Sequence, residues 1–178
     1  MREKVHLINM ATIGTLFTFS TYQLSDGSLV NIKILDTAGQ EKFRSLSHQY
    51  YRDADGCLLV YDITERKSFD EIKNYFCEQI KEKCKKDIKI VLLGNKTDLE
   101  EKREVSSEEG ANFAVEKGYH FMETSCLKNR NVADSFETLI ELIYEKVLER
   151  RKENIFEKPP LTIKGVNDST SSKKKKCC

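Results

Sequence analysis

Apolar and polar positions alternate between residues 16 and 35, and the period then changes. Phe17, Phe19 and Tyr22 precede a Ser25-Asp26-Gly27-Ser28 turn, and Val30, Ile32 and Ile34 alternate with Asn31 and Lys33 beyond it. Two period-two runs around an Asp-Gly turn predict a β-hairpin. Three short apolar runs follow: Cys57-Leu58-Leu59-Val60-Tyr61, Ile88-Lys89-Ile90-Val91-Leu92-Leu93, and the weaker Tyr119-His120-Phe121-Met122. Each leads into a helical pattern. Phe69, Ile72, Phe76 and Ile80 share one face of the first, and Val132, Phe136, Leu139, Ile140, Ile143 and Val147 one side of a last helix over about 131–152. Ser68 with Glu71 and Ser106 with Glu109 read as capping boxes, and Gly118 suits a helix stop. Strands alternating with helices predict an α/β domain with a largely parallel sheet, whose ligands bind at the carboxyl ends of the strands.

At 178 residues the chain suits one such domain. The organisation expected is an atypical segment 1–11, a domain over 12–152, and a tail over 153–178. Pro159-Pro160 blocks helix continuation, and a Ser/Thr run then Lys173 to Lys176 make the tail a polar arm expected to be disordered. Residues 149–178 hold nine Lys/Arg and four Asp/Glu, a charge of +5 against a total of +1, so residues 1–148 carry −4. A basic tail on an acidic body points to an anionic membrane surface rather than nucleic acid. The six cysteines form no C-x-x-C pair and the three histidines are scattered, so the spacing of a metal site is absent. Thiols in a reducing compartment are the expectation. No run approaches the ~20 apolar residues of a membrane span.

Two strings carry chemistry. Asp36-Thr37-Ala38-Gly39-Gln40-Glu41 follows the hairpin, and Asn95-Lys96-Thr97-Asp98 closes the second apolar run. With them stand Thr12-Ile13-Gly14, Phe43-Arg44-Ser45-Leu46, Tyr50-Tyr51-Arg52, Leu59-Val60-Tyr61-Asp62-Ile63-Thr64 and the terminal Cys177-Cys178. Jointly these resemble the Rab family of small GTPases, within the Ras superfamily, over about residues 11–150 and the extreme C-terminus. The resemblance implies a small-GTPase-like α/β fold and a guanine-nucleotide switch in vesicle traffic, using GTP or GDP and Mg²⁺. Asp36 and Thr12 are then the expected metal ligands, Gly39 approaches the γ-phosphate, and Gln40 orients the attacking water. Asn95, Lys96 and Asp98 read the base, because a carboxylate accepts both N–H groups of the guanine edge. Ser125 and Cys126, in Glu123-Thr124-Ser125-Cys126, match the last guanine motif, where Leu127 replaces a lysine. Phe17 and Tyr50 match two of the aromatics that effectors read, while Leu16 and Leu35 depart from the usual Asp and Trp. Cys177 and Cys178 resemble a double geranylgeranylation site. Two lipids and four lysines would hold the cytoplasmic face of an internal membrane, with a cytosolic pool. Effectors, regulators, a prenylation escort and a GDP-dissociation inhibitor are the partners implied.

One family motif is missing. No G-x-x-x-x-G-K-[ST] occurs in residues 1–178, and only eleven residues precede Thr12. The expectation is an N-terminally truncated Rab whose first strand and helix are lost or replaced, with residues 5–8 (Val5-His6-Leu7-Ile8) as the replacement strand. Hydrogen bonds to charged groups contribute about 1.5–3 kcal/mol each. Losing three from a phosphate cradle implies roughly 5–9 kcal/mol, several decades of affinity. Binding and hydrolysis of GTP are therefore expected to be weak, and the alternative is a prenylated pseudo-GTPase acting as a nucleotide-independent binding module. A further expectation is that the lost helix leaves a bare apolar footprint on the sheet.

Overall fold

A computed structural model describes residues 3–10, 16–37 and 48–156, with side chains over 18–35 and 51–152. Six strands form one sheet: β1 Glu3–Met10, β2 Leu16–Gln23, β3 Leu29–Thr37, β4 Gly56–Asp62, β5 Lys89–Asn95 and β6 His120–Glu123. Their order is β2-β3-β1-β4-β5-β6, antiparallel between β2 and β3 and parallel elsewhere. The hairpin forms about the predicted turn. Gly27 has φ +83°, a value glycine adopts without strain, and Leu24 N–H donates to Ser28 C=O at 2.8 Å across it.

Residues 3–10 occupy the slot between β3 and β4. Eight residues pair with β3, from Glu3 opposite Val30 to Met10 opposite Thr37, and Leu7, Ile8 and Asn9 also pair with β4. The chain then has residues 11–15 to reach Leu16, which lies opposite Asp36. A crossover that carries a helix needs about a dozen residues. Five suffice only to pass from one side of β3 to the other, two strand spacings of about 4.8 Å.

The helices are α1 His48–Asp53, α2 Arg66–Glu71, α3 Cys77–Lys83, α4 Ser107–Lys117 and α5 Val132–Phe156; a π-helical turn, Ile72–Phe76, joins α2 to α3. The serine half of the capping box forms at α4, where Ser106 Oγ accepts from Glu109 N–H at 3.1 Å and Gly118 closes the helix at φ +70°, while the Glu109 carboxylate pairs with Arg66. It departs at α2. The N-cap there is Glu65, and Ser68 lies inside the first turn, its Oγ donating to Glu65 C=O at 2.7 Å and accepting from Asp62 N–H at 3.0 Å. A serine drawn to a strand end is no longer free to cap.

Each face of the sheet has a core. Phe69, Ile72, Ile80 and Ala114 pack on Leu59, Tyr61 and Leu92 on one side. Leu139, Ile140 and Ile143 of α5 pack on Leu58, Val91 and Leu93 on the other. β4 and β5 are thus covered on both faces, which is why they read as unbroken apolar runs. On β3 the footprint is not bare, since Val30 and Ile32 are buried with Leu24 in the α5-side core and Ile34 is half-buried.

Phe69 stacks between Tyr61 and Phe113, with ring centroids 4.8 and 5.5 Å away. The Tyr61 hydroxyl beside it is buried with no hydrogen-bond partner among the described residues. A Cβ on Gly110 would meet that oxygen at 2.4 Å and the Phe121 ring at 2.8 Å. Removing an unsatisfied buried hydroxyl, as in Tyr61→Phe, is expected to be neutral or stabilising by about 1 kcal/mol. Gly110→Ala is expected to cost about 1–3 kcal/mol by overpacking. In the double variant the cost should shrink, because the closest obstacle is gone. Urea denaturation of the four proteins gives this cycle, and strict additivity would mean that the hydroxyl is not what the added methyl meets.

Candidate functional site

β4 and β5 end side by side, Asp62 opposite Asn95. The residues that follow each strand turn across the carboxyl end of the sheet. Lys96 takes a left-handed conformation, φ +68°, which turns the chain out of the strand and into a short 3-10 segment, Thr97–Lys102. That conformation is costly for a non-glycine residue, and its partners hold it. Lys96 Nζ pairs with Asp62 Oδ2 at 2.5 Å. Thr97 is buried, and its N–H and hydroxyl both donate to Thr124 C=O, at 3.2 and 2.9 Å.

The loop after β6 completes this side. Thr124 Oγ1 donates to Asn95 Oδ1 at 3.2 Å, and the exposed Cys126 thiol lies 3.7 Å from the same oxygen. Ser125 Oγ donates to Asp98 Oδ1 at 2.5 Å and accepts from Lys128 N–H at 3.0 Å. Ser125 and Arg130 exchange backbone hydrogen bonds, and Asn129 and Asn131, both at positive φ, supply the tight turns. Asn131 Nδ2 ties the loop back to Glu123 C=O at 2.8 Å. Behind it Arg103 bridges Glu100 and Glu123.

The electrostatics favour charge where it is needed. The Ser125 hydroxyl holds the Asp98 carboxyl below the usual carboxylate range. Burial opposes the charge on Asp62, but hydrogen bonds from Lys96 and Thr64 outweigh it and lower its pKa. Lys96 is raised in turn by the hydrogen bond to Asp62. Asp98 is thus an ionised acceptor at neutral pH, beside Ser125 and across the loop junction from Asn95. Such a group matches two N–H donors on one edge of a ligand.

The structure brings Asn95, Lys96, Asp98, Ser125 and Cys126 into this one site. Asp36 lies near the end of β3, at the same end of the sheet, opposite Asn9 and Leu16; its side chain, like that of Phe17, falls outside the described side chains. Thr12, Gly39, Gln40, Cys177 and Cys178 lie outside the described residues. Leu35, where an aromatic would be usual, is buried in the core, and Leu127 is 82% exposed on the loop after β6. Sequence reasoning passed over Asp62, Thr97 and Thr124, which fix the loops from behind. For Asp62 a signal existed, because Asp-x-Thr at a strand end is an Asx-turn pattern, and Thr64 N–H and Oγ1 both donate to Asp62 Oδ1, at 2.8 and 2.7 Å.

A mostly parallel six-stranded sheet with these two loops at its carboxyl end is the arrangement of a small GTPase domain. A family model for the Ras family matches residues 2–145. Rab-8 of Diplobatis ommata is 42% identical over 166 residues, covering 93% of this chain and 78% of that protein. Rab-8B of Homo sapiens is 45% identical and Rab-8A of Bos taurus 46%, each over 138 residues that cover 78% of this chain and 66% of the relative. The chain belongs to the Ras family, as a Rab-type small GTPase.

Ser125→Ala removes the hydroxyl that stabilises the Asp98 carboxylate. The Asp98 pKa is expected to rise toward its ordinary value, as followed by NMR of the side-chain carboxyl carbon. The native depression contributes stability above the unfolded-state pKa, lost as pH falls through the folded value, so the variant should lose less stability across that acid range. An unmoved titration would show that Ser125 is not the cause.

Proposed function

We propose that this chain is a Rab-type guanine-nucleotide switch of vesicle traffic whose grip on the base is retained and whose grip on the phosphates is weak. The observation that carries this is the Asp98–Ser125 hydrogen bond at 2.5 Å, which fixes an ionised acceptor beside Asn95 at the carboxyl end of β5. These residues fit a guanine: Asp98 would accept from its edge, the stem of Lys96 would cover the ring, and the Ser125–Cys126 backbone would face its carbonyl. The phosphate side fits poorly. No Gly-Lys loop occurs in residues 1–178, and only residues 11–15 join β1 to β2. Asp36 and Thr12 remain the candidate Mg²⁺ ligands, with Gly39 and Gln40 the candidate γ-phosphate and water-orienting residues. Bound Mg²⁺ would offset phosphate charge in the family's GTP hydrolysis. Cys177 and Cys178 are the candidate geranylgeranyl acceptors that tether the chain to internal membranes, with effectors and a GDP-dissociation inhibitor as partners.

The five-residue connection also favours a second reading, a prenylated pseudo-GTPase that binds partners without a nucleotide cycle. Calorimetric titration separates the two. The first expects guanine-selective binding several decades weaker than a phosphate-loop protein would show, with GDP and guanosine alike in strength and ATP inert. Asp98→Ala should abolish the preference for guanine over adenine, since the carboxylate is the acceptor that only the guanine edge satisfies. No guanine binding at all would favour the second reading. Tight, Mg²⁺-dependent GTP binding would overturn the weak phosphate grip.

A further inference from the structure

The opposite end of the sheet carries a different chemistry. Gly56 pairs with Lys89 where β4 and β5 begin, and from the last turn of α3 to the first residue of β5 residues 81–89 hold five lysines against Glu82 and Asp87. The acid in the middle of this segment is engaged, since Lys146 Nζ donates to Asp87 C=O at 2.7 Å and pairs with its carboxylate at 3.0 Å, and Arg150 joins them. Beside the segment lies a cleft of about 540 Å³. Ile80, Ile88, Ile90 and Tyr119 give it an apolar floor, and Lys81, Lys85, Lys86 and Lys117 line it with no carboxylate among its lining residues. Lys85 is paired with Asp55 and Lys117 with Glu116, whereas Lys81 and Lys86 are exposed with no ion pair among the described residues.

We propose that this lysine-rimmed cleft is the face that the domain itself lays on an anionic phospholipid leaflet. The cationic rim matches the headgroups of acidic lipids, and the half-buried Ile88 and Tyr119 offer an apolar contact to the glycerol-ester level beneath them. Charge complementarity excludes the chain's own terminus as the occupant, because Lys173 to Lys176 would enter against four lysines of like sign. The path of the chain points the same way. The Lys146–Asp87 contact brings the C-terminal half of α5 to this end, and residues 157–178, closing in Lys173 to Lys176 and Cys177-Cys178, follow from it. The base-reading loops at the carboxyl ends of the strands then face away from the leaflet.

The test uses the full, unlipidated chain without nucleotide, so it stands or falls separately from the reading of the nucleotide site. Partition onto phosphatidylcholine vesicles with and without phosphatidylserine is measured by sedimentation. A lysine near an anionic surface contributes about 1 kcal/mol, so Lys81→Gln/Lys86→Gln should weaken binding to the serine-lipid vesicles by about 30-fold. Lys67→Gln/Lys102→Gln, exposed lysines in α2 and in the 3-10 segment beside the base-reading loops, should weaken it far less. Hydrogen exchange should slow over residues 81–90 on the anionic vesicles and stay unchanged over 95–98. Equal losses in the two variants would assign vesicle binding to the lysine tail and overturn the proposal. So would an 81/86 effect seen with polyglutamate and not with vesicles, which would make the cleft a site for an acidic protein.

Discussion

The arrangement depends on one pairing, that of β1 with β3 and β4. A strand buried on both faces must have its backbone groups hydrogen-bonded on both edges, since an orphaned donor or acceptor there costs as much as a lost hydrogen bond. Without residues 3–10, β3 and β4 would face each other across an empty slot. The hairpin would then be detached from the rest of the sheet. With them, one continuous sheet carries Asp36 and Asp62 toward the same end, and the α5-side core runs from Val30 and Ile32 across to Leu93. The register also defines where the site is open. β1 has its last β4 partner at Leu58, while β4 itself runs on to Asp62.

The loops after β5 and β6 are built differently, from loop-to-loop hydrogen bonds rather than strand pairing. Thr97 and Thr124 lock the two loops together from the buried side, so that Asn95, Asp98 and Ser125 emerge already aligned. A site aligned in advance loses little freedom on binding, and its few contacts translate into affinity more fully. The sheet and these loops thus rest on different structural supports, strand pairing in one case and loop-to-loop hydrogen bonds in the other.

Much of this was legible in the sequence, for identifiable reasons. β4 and β5 announced themselves because both faces are buried, and the hairpin because one face alternates with the other. Ser106 and Gly118 fulfilled the capping pattern because nothing competes for them. Ser68 did not, because the strand end at Asp62 draws its hydroxyl instead, a tertiary contact invisible to a four-residue motif. The π-helical turn at Ile72–Phe76 was equally hidden, since it shifts the phase of an apolar face without changing its composition. In the candidate site, motif spacing picked out Asn95, Asp98 and Ser125, which the fold brings together. Those that hold them in place were not, because Thr97 and Thr124 act through backbone carbonyls and through each other, which no spacing rule records.

The separation of the two ends of the domain follows from topology alone. In a parallel sheet every carboxyl end lies on one side and every amino end on the other. β5 spans seven residues, so its ends are about 20 Å apart. Loops after strands build the base site, and loops before strands build the lysine-rimmed cleft. α5 follows β6 and runs back along the sheet, so the tail must begin at the amino end. The candidate site and the lysine-rimmed cleft are thereby kept on separate surfaces. A cation cluster at the amino end leaves Asp98 unperturbed, since at such a separation the field of exposed lysines is largely screened at physiological salt.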